Sequence, residues 1–357
     1  MNNDDVLAAL STVQDPELRR SVVELGMIRD IEITDDTLAV RLMLTTAACP
    51  LKGRIQGEAE QALAAVAGPR RVEVVMDAMS AEECERLAVG LQADPAAPKT
   101  PFGPGSATRV IAVASGKGGV GKSTVTANLA VALAMHGHAV GLIDADVYGP
   151  TLPLMFGMAH VAPDSHDGKL VPPERHGVAL VSMGFFLQDD EPIVWRGPML
   201  GRAMEQFLGD VLWGSPDYLL IDLPPGTGDI ALTVAQMLPA AEIVVVTTPQ
   251  EAAAKIAAKA AKMAGLTGHR VIGVVENMAY FICPSCGAKH YVFGQGGASE
   301  IARATGARLL GRIPLDESTR SAGDAGTPPA LDPSSPAGAV FHDIARLIDA
   351  TPRAAAR

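Results

Sequence analysis

The chain has 357 residues, of which 48% are hydrophobic and 19% charged, and its formal net charge is −11. This length accommodates two domains, and the balance of apolar and charged residues is typical of a folded globular protein rather than a disordered one. The acidic net charge argues against a general nucleic-acid-binding protein, because such proteins usually present a basic face.

The N-terminus and the cysteine content favour a cytoplasmic protein. The first ten residues, MNNDDVLAAL, lack the basic and long apolar segments of a secretory signal. No apolar run approaches the ~20 residues that a membrane-spanning helix needs. Four cysteines in a chain of this size do not indicate a disulfide framework. We therefore expect a cytoplasmic location, reduced thiols, and neither a membrane nor a nucleic acid as partner.

The first part of the chain, residues 1–92, predicts a small α/β domain. Its apolar pattern favours a helix, two strands joined by a polar turn, a second helix and a third strand. These elements are expected at residues 4–12, 28–33, 38–44, 50–66 and 71–76. A last helix is expected to begin at Ser80, because Glu83 stands three residues later and completes a capping box.

A linker is predicted at residues 93–108, which contain four prolines and two glycines and no apolar periodicity. Beyond it, apolar strands alternate with helices over residues 109–357. That alternation predicts an α/β P-loop domain with a mostly parallel, doubly wound sheet and crossover helices on both faces. The strands are expected at residues 110–114, 139–143, 178–182, 218–222, 242–247, 270–275 and 309–313, and two of the helices at 250–264 and 335–350.

The stretch GKGGVGKST at residues 116–124 fits the P-loop pattern G-x-x-x-x-G-K-[ST]. Its glycines let backbone N–H groups turn inward around an anion, and the helix that follows adds the positive end of its dipole. Lys122 is expected to reach the β- and γ-phosphates of a nucleotide, and the Ser123 hydroxyl to bind Mg²⁺. The predicted phosphate-binding residues are Gly116, Lys117, Gly118, Gly119, Val120, Gly121, Lys122, Ser123 and Thr124.

A carboxylate ends the apolar strand at 218–222 and precedes the stretch LPPGTGD. An aspartate in this place beside a P-loop is typical of a Walker B residue, so Asp222 is expected to hold Mg²⁺ through the water shell of the ion. The backbone N–H of Gly226 is expected to face a γ-phosphate.

Two more carboxylates, Asp144 and Asp146, follow the strand at 139–143. A spacing of two residues extends both to the same side of an extended chain. We expect Asp146 to orient the attacking water and Asp144 to support Mg²⁺ or the loop. The alternative is an Asx-type turn before Gly149.

Two residues are predicted to lie at the nucleotide-binding edge of the sheet. Asn277 follows the strand at 270–275, and Pro314 follows the strand at 309–313. Nucleotides bind at the carboxyl edge of open α/β sheets, and an asparagine amide offers both a donor and an acceptor to a base edge.

Cys283 and Cys286 form a C-P-x-C-G motif six residues after Asn277, a spacing typical of metal binding. Three interpretations remain open. A structural zinc site needs four ligands, and besides the two cysteines only His290 lies nearby, so the set is incomplete. A redox dithiol would need the motif to open a helix. The third is half of a four-thiolate site, completed by a second chain across a two-fold axis and holding a [4Fe–4S] cluster.

Four stretches taken together, GKGGVGKST, DADVYGP, IDLPPGTGD and CPSCG after ENM, resemble the ApbC/Mrp family of iron–sulfur cluster carrier ATPases, which are relatives of MinD and of the nitrogenase iron protein. The resemblance covers nearly all of residues 108–345. It implies a homodimer in which Lys117 reaches the nucleotide of the partner. It also implies adenine contacts from Asn277 and the Pro314 region, and a bridging cluster on Cys283 and Cys286.

The N-terminal segment has a resemblance of its own. Residues 15–18 (DPEL), 23–28 (VELGMI) and 45–50 (TTAACP) look like the small domain of iron–sulfur assembly factors related to PaaD and SufT. Cys49 precedes Pro50 at a predicted helix start, where the helix dipole would lower the pKa of the thiol and make it a reactive thiolate or transient ligand. The alternative is a cysteine packed at a helix start. Cys84 is interpreted as structural.

These features together predict a P-loop ATPase that binds ATP, Mg²⁺ and a [4Fe–4S] cluster and transfers the cluster to apo-proteins, with Lys117, Lys122 and Asp146 as catalytic residues. A MinD/ParA-like positioning ATPase is one alternative, but the tail at 341–350 carries acids and a single arginine rather than a basic amphipathic helix. A zinc-stabilised nucleotide switch is the other.

Overall fold

The computed structural model describes residues 2–15, 20–44, 52–79, 83, 100–103, 105–146, 149–186, 197–226 and 229–353. The chain divides into two compact units, Met1–Ala97 and Pro98–Arg357. The division falls within the predicted linker, whose own limits remain a prediction.

The described residues of the N-terminal unit form a three-stranded sheet and the first two of the three helices expected from the sequence. Its elements in chain order are α1 (Asn3–Leu10), β1 (Ile28–Ile33), β2 (Thr37–Leu44), α2 (Lys52–Ala67) and β3 (Arg71–Ala78). β1 and β2 are antiparallel, and β2 and β3 are parallel with α2 as the crossover. Alternate residues of β2 from Leu38 to Leu44 are buried, since one face of the sheet packs on the helices. Cys49, Cys84 and most of the helix expected from Ser80 lie outside the described residues.

The C-terminal unit contains an eight-stranded sheet in the order β15-β12-β11-β4-β10-β5-β9-β8. Seven strands are parallel and β8 joins the edge antiparallel to β9. The strands of this unit are β4 (Arg109–Ser115), β5 (Val140–Asp144), β6 (Asp164–His166), β7 (Lys169–Val171), β8 (Glu174–Arg175), β9 (Val178–Ser182), β10 (Tyr218–Asp222), β11 (Glu242–Thr247), β12 (Arg270–Glu276), β13 (Phe281–Ile282), β14 (Lys289–His290) and β15 (Arg308–Arg312).

Helices cover both faces of this sheet, which confirms the predicted doubly wound architecture. They are α3 (Lys122–Met135), α4 (Leu152–Met155), α5 (Gly197–Gly209), α6 (Asp229–Met237), α7 (Glu251–Leu266), α8 (Gly297–Thr305), α9 (Glu317–Asp324) and α10 (Pro336–Asp349). Alternate residues of β4 enter different cores: Ala112 packs with residues of α5 to α8, and Ile111 packs with residues of α3 and α10. The seven predicted parallel strands are all present, each within one residue at either end.

The two small hairpins, β6–β7 and β13–β14, are elements that the apolar pattern does not predict. Their strands are two or three residues long and mostly exposed, so they carry no apolar alternation. Among the described residues, none of the helices combines the length and apolar character needed to cross a bilayer.

Parallel strands bring their carboxyl ends to one edge of the sheet. β4, β5, β10, β12 and β15 therefore deliver to the same edge the loops that carry the P-loop, Asp146, Gly226, Asn277 and Pro314.

Candidate functional site

The P-loop connects β4 to α3, and at two of its positions only glycine fits. Gly121 has φ of 79°, and a Cβ added there would lie 2.2 Å from Nδ2 of Asn277. A Cβ added at Gly116 would lie 2.4 Å from the backbone nitrogen of Ala257 in α7. Gly121 is also the N-cap of α3 and provides no side-chain cap. Because no side chain intervenes at these positions, the backbone N–H groups of the P-loop can approach a bound anion closely, as phosphate binding requires.

Asp222 is the centre of a buried network under the P-loop. Its Oδ2 accepts hydrogen bonds from Lys122 Nζ and from Ser123 Oγ, each at 2.6 Å. Its Oδ1 accepts from Thr126 Oγ1, also at 2.6 Å. Asp222 is fully buried and Lys122 is 6% exposed. Buried charges need an oppositely charged, hydrogen-bonded partner, and each of these two residues provides it for the other. The structure thus brings the two predicted Mg²⁺ residues, Ser123 and Asp222, into direct contact.

Thr126 is a residue that the motif analysis missed. It stands four residues after Lys122 and therefore on the same face of α3. Its Oγ1 also lies 2.9 Å from the carbonyl oxygen of Lys122, which is an alternative acceptor for the single hydroxyl hydrogen. The helical spacing was the available signal, but the P-loop pattern ends before this position.

Asp144 and Asp146 occupy different environments, although their spacing predicts a shared direction. Asp144 is fully buried, and its carboxylate accepts from the N–H of Asp146 at 3.2 Å, from the N–H of Leu152 at 3.3 Å and from Ser182 Oγ at 3.0 Å. Asp146 is partly exposed, and its Oδ2 lies 3.9 Å from Lys122 Nζ. Asp144 therefore holds the backbone of the loop, while Asp146 faces the P-loop lysine.

Burial, followed by the neighbouring carboxylate of Asp222, raises the pKa of Asp144 to about 8. The hydrogen bond from the N–H of Asp146 and the charge of Lys122 act in the opposite direction. Two carboxyl groups are thus enclosed with one lysine, and a cation bound beside them would favour the charged form of Asp144.

Lys117 and Gly226 have partners within the chain. Lys117 Nζ donates to Gln250 Oε1 at 3.3 Å, just before α7 begins. The N–H of Gly226 donates to the carbonyl of Ser115 at 2.8 Å. Gly226 would have to exchange this bond in order to donate to a γ-phosphate. Val147, Tyr148, Thr227 and Gly228 lie outside the described residues.

Asn277 and Pro314 both lie at the predicted sheet edge and both are buried. Asn277 Nδ2 donates to the carbonyl of Val120 at 2.9 Å, and its Oδ1 accepts from the N–H of Met278 at 3.0 Å. Its amide therefore already contacts the P-loop, and one N–H and one lone pair are left for a base. Pro314 follows Ile313, whose N–H donates to the carbonyl of Glu276 at 2.9 Å.

The cysteine pair lies at the turn of the β13–β14 hairpin, between β12 and α8. The N–H of Cys283 donates to the carbonyl of Ala288 at 2.9 Å, and the N–H of Gly287 donates to the carbonyl of Cys283 at 2.8 Å. Both thiols are free, with Cys286 exposed. Backbone hydrogen bonds from Ser285 and then Cys286 lower the pKa of the Cys283 thiol. The motif does not open a helix, which disfavours a thioredoxin-type dithiol.

Exposed apolar side chains surround this hairpin. Phe281 is 37% exposed, Tyr291 45% and Val292 62%. Lys289 Nζ lies 4.3 Å from the centre of the Tyr280 ring. In the described part of the chain, no three His, Cys, Asp or Glu side chains are grouped so that they could hold a metal ion.

Comparison with known proteins finds two families, one matching within each of the two units. Residues 106–349 match the family described as "NUBPL iron-transfer P-loop NTPase", and residues 3–75 match the family described as "Iron-sulfur cluster assembly protein". A curated relative from Mycobacterium tuberculosis, named iron-sulfur cluster carrier protein, is 48% identical over 352 residues, which covers 96% of this chain and 92% of that protein.

Two solved structures cover the C-terminal unit. A nucleotide-binding protein from Archaeoglobus fulgidus in complex with ADP is 41% identical, with a TM-score of 0.58, and covers 70% of this chain and 94% of its own. The MinD cell division protein of Aquifex aeolicus, at 24% identity and a TM-score of 0.51, covers 70% of this chain and 100% of its own and shares the fold. These matches confirm both resemblances seen in the sequence. The chain therefore belongs to the family of iron-transfer P-loop NTPases, with an N-terminal domain of the iron–sulfur cluster assembly family.

Proposed function

We propose that this chain is an ATP-hydrolysing iron–sulfur cluster carrier that binds a [4Fe–4S] cluster as a homodimer and transfers it to apo-proteins. The observation that carries this proposal is the place of the cysteine hairpin. The N–H of Leu315 donates to the carbonyl of Tyr280 at 2.7 Å, and the N–H of Ala279 donates to the carbonyl of Ile313 at 2.8 Å. The base of the hairpin is thus bonded to the segment that carries Pro314, at the sheet edge of the P-loop.

The nucleotide site supports phosphoryl transfer to water. Lys122 and, from the partner, Lys117 would stabilise charge on the transferred phosphoryl group, and Asp146 would orient the attacking water. Ser123 and Asp222 would hold Mg²⁺, which when bound supplies positive charge beside the phosphates.

The remaining nucleotide contacts are proposed from the positions of the residues at the sheet edge. Asn277 and Pro314 would face the adenine, and the N–H of Gly226 would face the γ-phosphate. Asp144 would support the loop of Asp146 through the hydrogen bonds that its carboxyl group accepts from the N–H groups of Asp146 and Leu152.

The cluster site is proposed to be shared by two copies of the chain. A four-iron cluster is held by four thiolates, and this hairpin supplies Cys283 and Cys286. The exposed apolar side chains beside them, Phe281, Tyr291 and Val292, suit burial against the same surface of a second copy. Because the thiols must stay reduced, we place the protein in the cytoplasm.

The N-terminal domain is proposed to be an accessory assembly domain that folds by itself. We propose its bounds at 1–92, a linker at 93–108 and the ATPase domain at 109–357. Apo iron–sulfur proteins and the assembly machinery are the expected partners.

Anaerobic purification and reconstitution, with iron, sulfide and zinc analysis, tests the cluster. We expect about one four-iron cluster per dimer, following the four-ligand requirement. Cys283→Ser and Cys286→Ser should each lose it, whereas the control Cys84→Ser should keep it. A monomer that holds a full cluster would contradict the shared site, and zinc at one per chain would favour the nucleotide switch instead.

A further inference from the structure

Asn277 lies between the P-loop and the start of the cysteine hairpin. It is 7% exposed, and its backbone N–H donates to the carbonyl of Thr247 in β11 at 2.8 Å. Its side-chain amide reaches in two directions: Nδ2 to the carbonyl of Val120 at 2.9 Å, and Oδ1 to the N–H of Met278 at 3.0 Å. Three hydrogen bonds within the chain therefore fix the residue.

The contact with Val120 determines how the next peptide group is oriented. The peptide bond between Val120 and Gly121 is planar and trans, and no cis peptide bond occurs among the described residues. In a trans peptide the carbonyl and the following N–H point in opposite directions. A donor that holds the carbonyl of Val120 therefore directs the N–H of Gly121 away from Asn277. In a P-loop, N–H groups of this loop cradle the phosphates.

Space is restricted at this point as well. Gly121 has φ of 79°, and a Cβ added to it would lie 2.2 Å from Nδ2 of Asn277. The amide thus occupies the place of a side chain at position 121. A backbone that needs glycine is intrinsically flexible, and here Asn277 supplies the contact that restricts it.

We propose that Asn277 is a positioning residue for phosphate binding, which holds the Val120–Gly121 peptide so that the N–H of Gly121 faces the phosphates. This role is separate from the adenine contact, because the contact with Val120 uses only one of the two hydrogens on Nδ2. It rests on the nucleotide binding of the proposed function and not on the cluster.

The test is a ligand that has phosphates and no base. Binding of Mg-ATP and of magnesium tripolyphosphate to the full-length protein is measured by calorimetry, for the wild type and for Asn277→Leu, which keeps the size but removes both hydrogen bonds. We expect the affinity for tripolyphosphate to fall by about five- to tenfold, the value of one net hydrogen bond, and the affinity for ATP to fall at least as far, because the variant also loses the adenine contact. Asn277→Ala removes the same hydrogen bonds with a smaller side chain and should give the same pattern. It replaces the leucine variant if that variant does not fold.

Asn128 provides a matched control. It is also a buried amide with two contacts, from Nδ2 to the carbonyl of Thr124 at 2.8 Å and from the N–H of Ala330 to Oδ1 at 2.8 Å. Asn128→Leu should lower thermal stability and leave the affinity for tripolyphosphate within twofold. A merely structural role for Asn277 would make the two variants behave alike.

Two results would overturn the inference. One is a loss of ATP affinity in Asn277→Leu with tripolyphosphate binding unchanged, which would leave an adenine contact alone. The other is a variant that binds both ligands like the wild type. A wild-type protein that binds no nucleotide at all would instead defeat the proposed ATPase, so the two failures are distinguishable.

Discussion

In the nucleotide site, Lys122 is 6% exposed and Asp222 fully buried, whereas in the cysteine hairpin Phe281 is 37% exposed and Val292 62%. The first site has its charged groups paired inside one chain. The second offers two thiols and an apolar surface that nothing in this chain covers among the described residues. The two regions lie at the same sheet edge, so their difference does not come from their place in the fold. It comes from what each requires: a P-loop is built by one strand–loop–helix unit, but a four-thiolate site needs a second pair of cysteines.

The largest effect is expected from the buried lysine. Lys122→Ala should lower ATP turnover by at least about 100-fold, because the transferred phosphoryl group loses a preorganised positive charge. It also leaves the buried carboxylate of Asp222 without its cation, so the folded state should be less stable as well. Phosphate release and thermal unfolding measure the two effects.

The control for this variant is Lys255→Ala. Lys255 lies on α7, is 72% exposed and pairs with Glu251 at 2.6 Å, so its loss should leave turnover unchanged. Undiminished hydrolysis by Lys122→Ala would remove the lysine from its assigned role.

Lys117→Ala tests whether ATP hydrolysis requires the dimer or only a single chain. Within one chain Lys117 has a hydrogen bond to Gln250, which is too exposed to matter greatly for the fold. We expect turnover to fall by about 100-fold, as for a lost charge-stabilising donor, while ATP binding measured by calorimetry persists. Turnover at the wild-type rate would indicate that one chain hydrolyses ATP without its partner's lysine.

A smaller effect is expected from histidines at the opposite edge of the sheet. His342 Nδ1 lies 3.0 Å from His136 Nε2. Burial, then the charges of His342, Arg346 and His138, lower the pKa of His136 below its usual value near 6.5, against a weaker opposing effect of Asp349. The unfolded chain therefore takes up the proton first, so stability is full above about pH 6.5 and falls as the pH drops below it.

The expected loss is about 1 kcal/mol or less, because His136 is only half-buried and solvent screens its charge. Thermal unfolding of the wild type and of His136→Asn between pH 7.5 and 5.5 measures it, and the variant should depend less on pH. Equal slopes for the two proteins would exclude this histidine as the cause.

Removal of the N-terminal domain should have the smallest effect of all. A fragment that begins at residue 106 contains both regions compared above and the whole of β4 to α10. We expect it to keep the ATPase activity and the capacity for a cluster within about twofold. Circular dichroism checks its fold, and an unfolded fragment would place the domain boundary elsewhere.

The parallel sheet and the P-loop could be predicted because each has a local signal. β4, β10 and β11 are continuous apolar runs since both faces of the sheet are covered, and the glycine pattern of the P-loop reflects steric needs within a few residues. Gln250 and Ser182 could not be found in this way, because their partners are brought to them by tertiary packing, and Thr126 could be found only from its helical spacing to Lys122. The sequence distinguishes Asp144 from Asp146 only by position, whereas the structure separates them by burial and by their contacts.

The hairpin that carries the cysteines has strands of only two residues each. Few hydrogen bonds therefore have to break for it to open, in contrast to β10, which is hydrogen-bonded on both sides within the sheet. Segments of this kind open locally at a small fraction of the global unfolding free energy, so amide protons at Cys283 and Gly287 should exchange far faster than those of β10. A cluster bound to the cysteines of this hairpin could be released by local opening of the hairpin, while the nucleotide site stays folded.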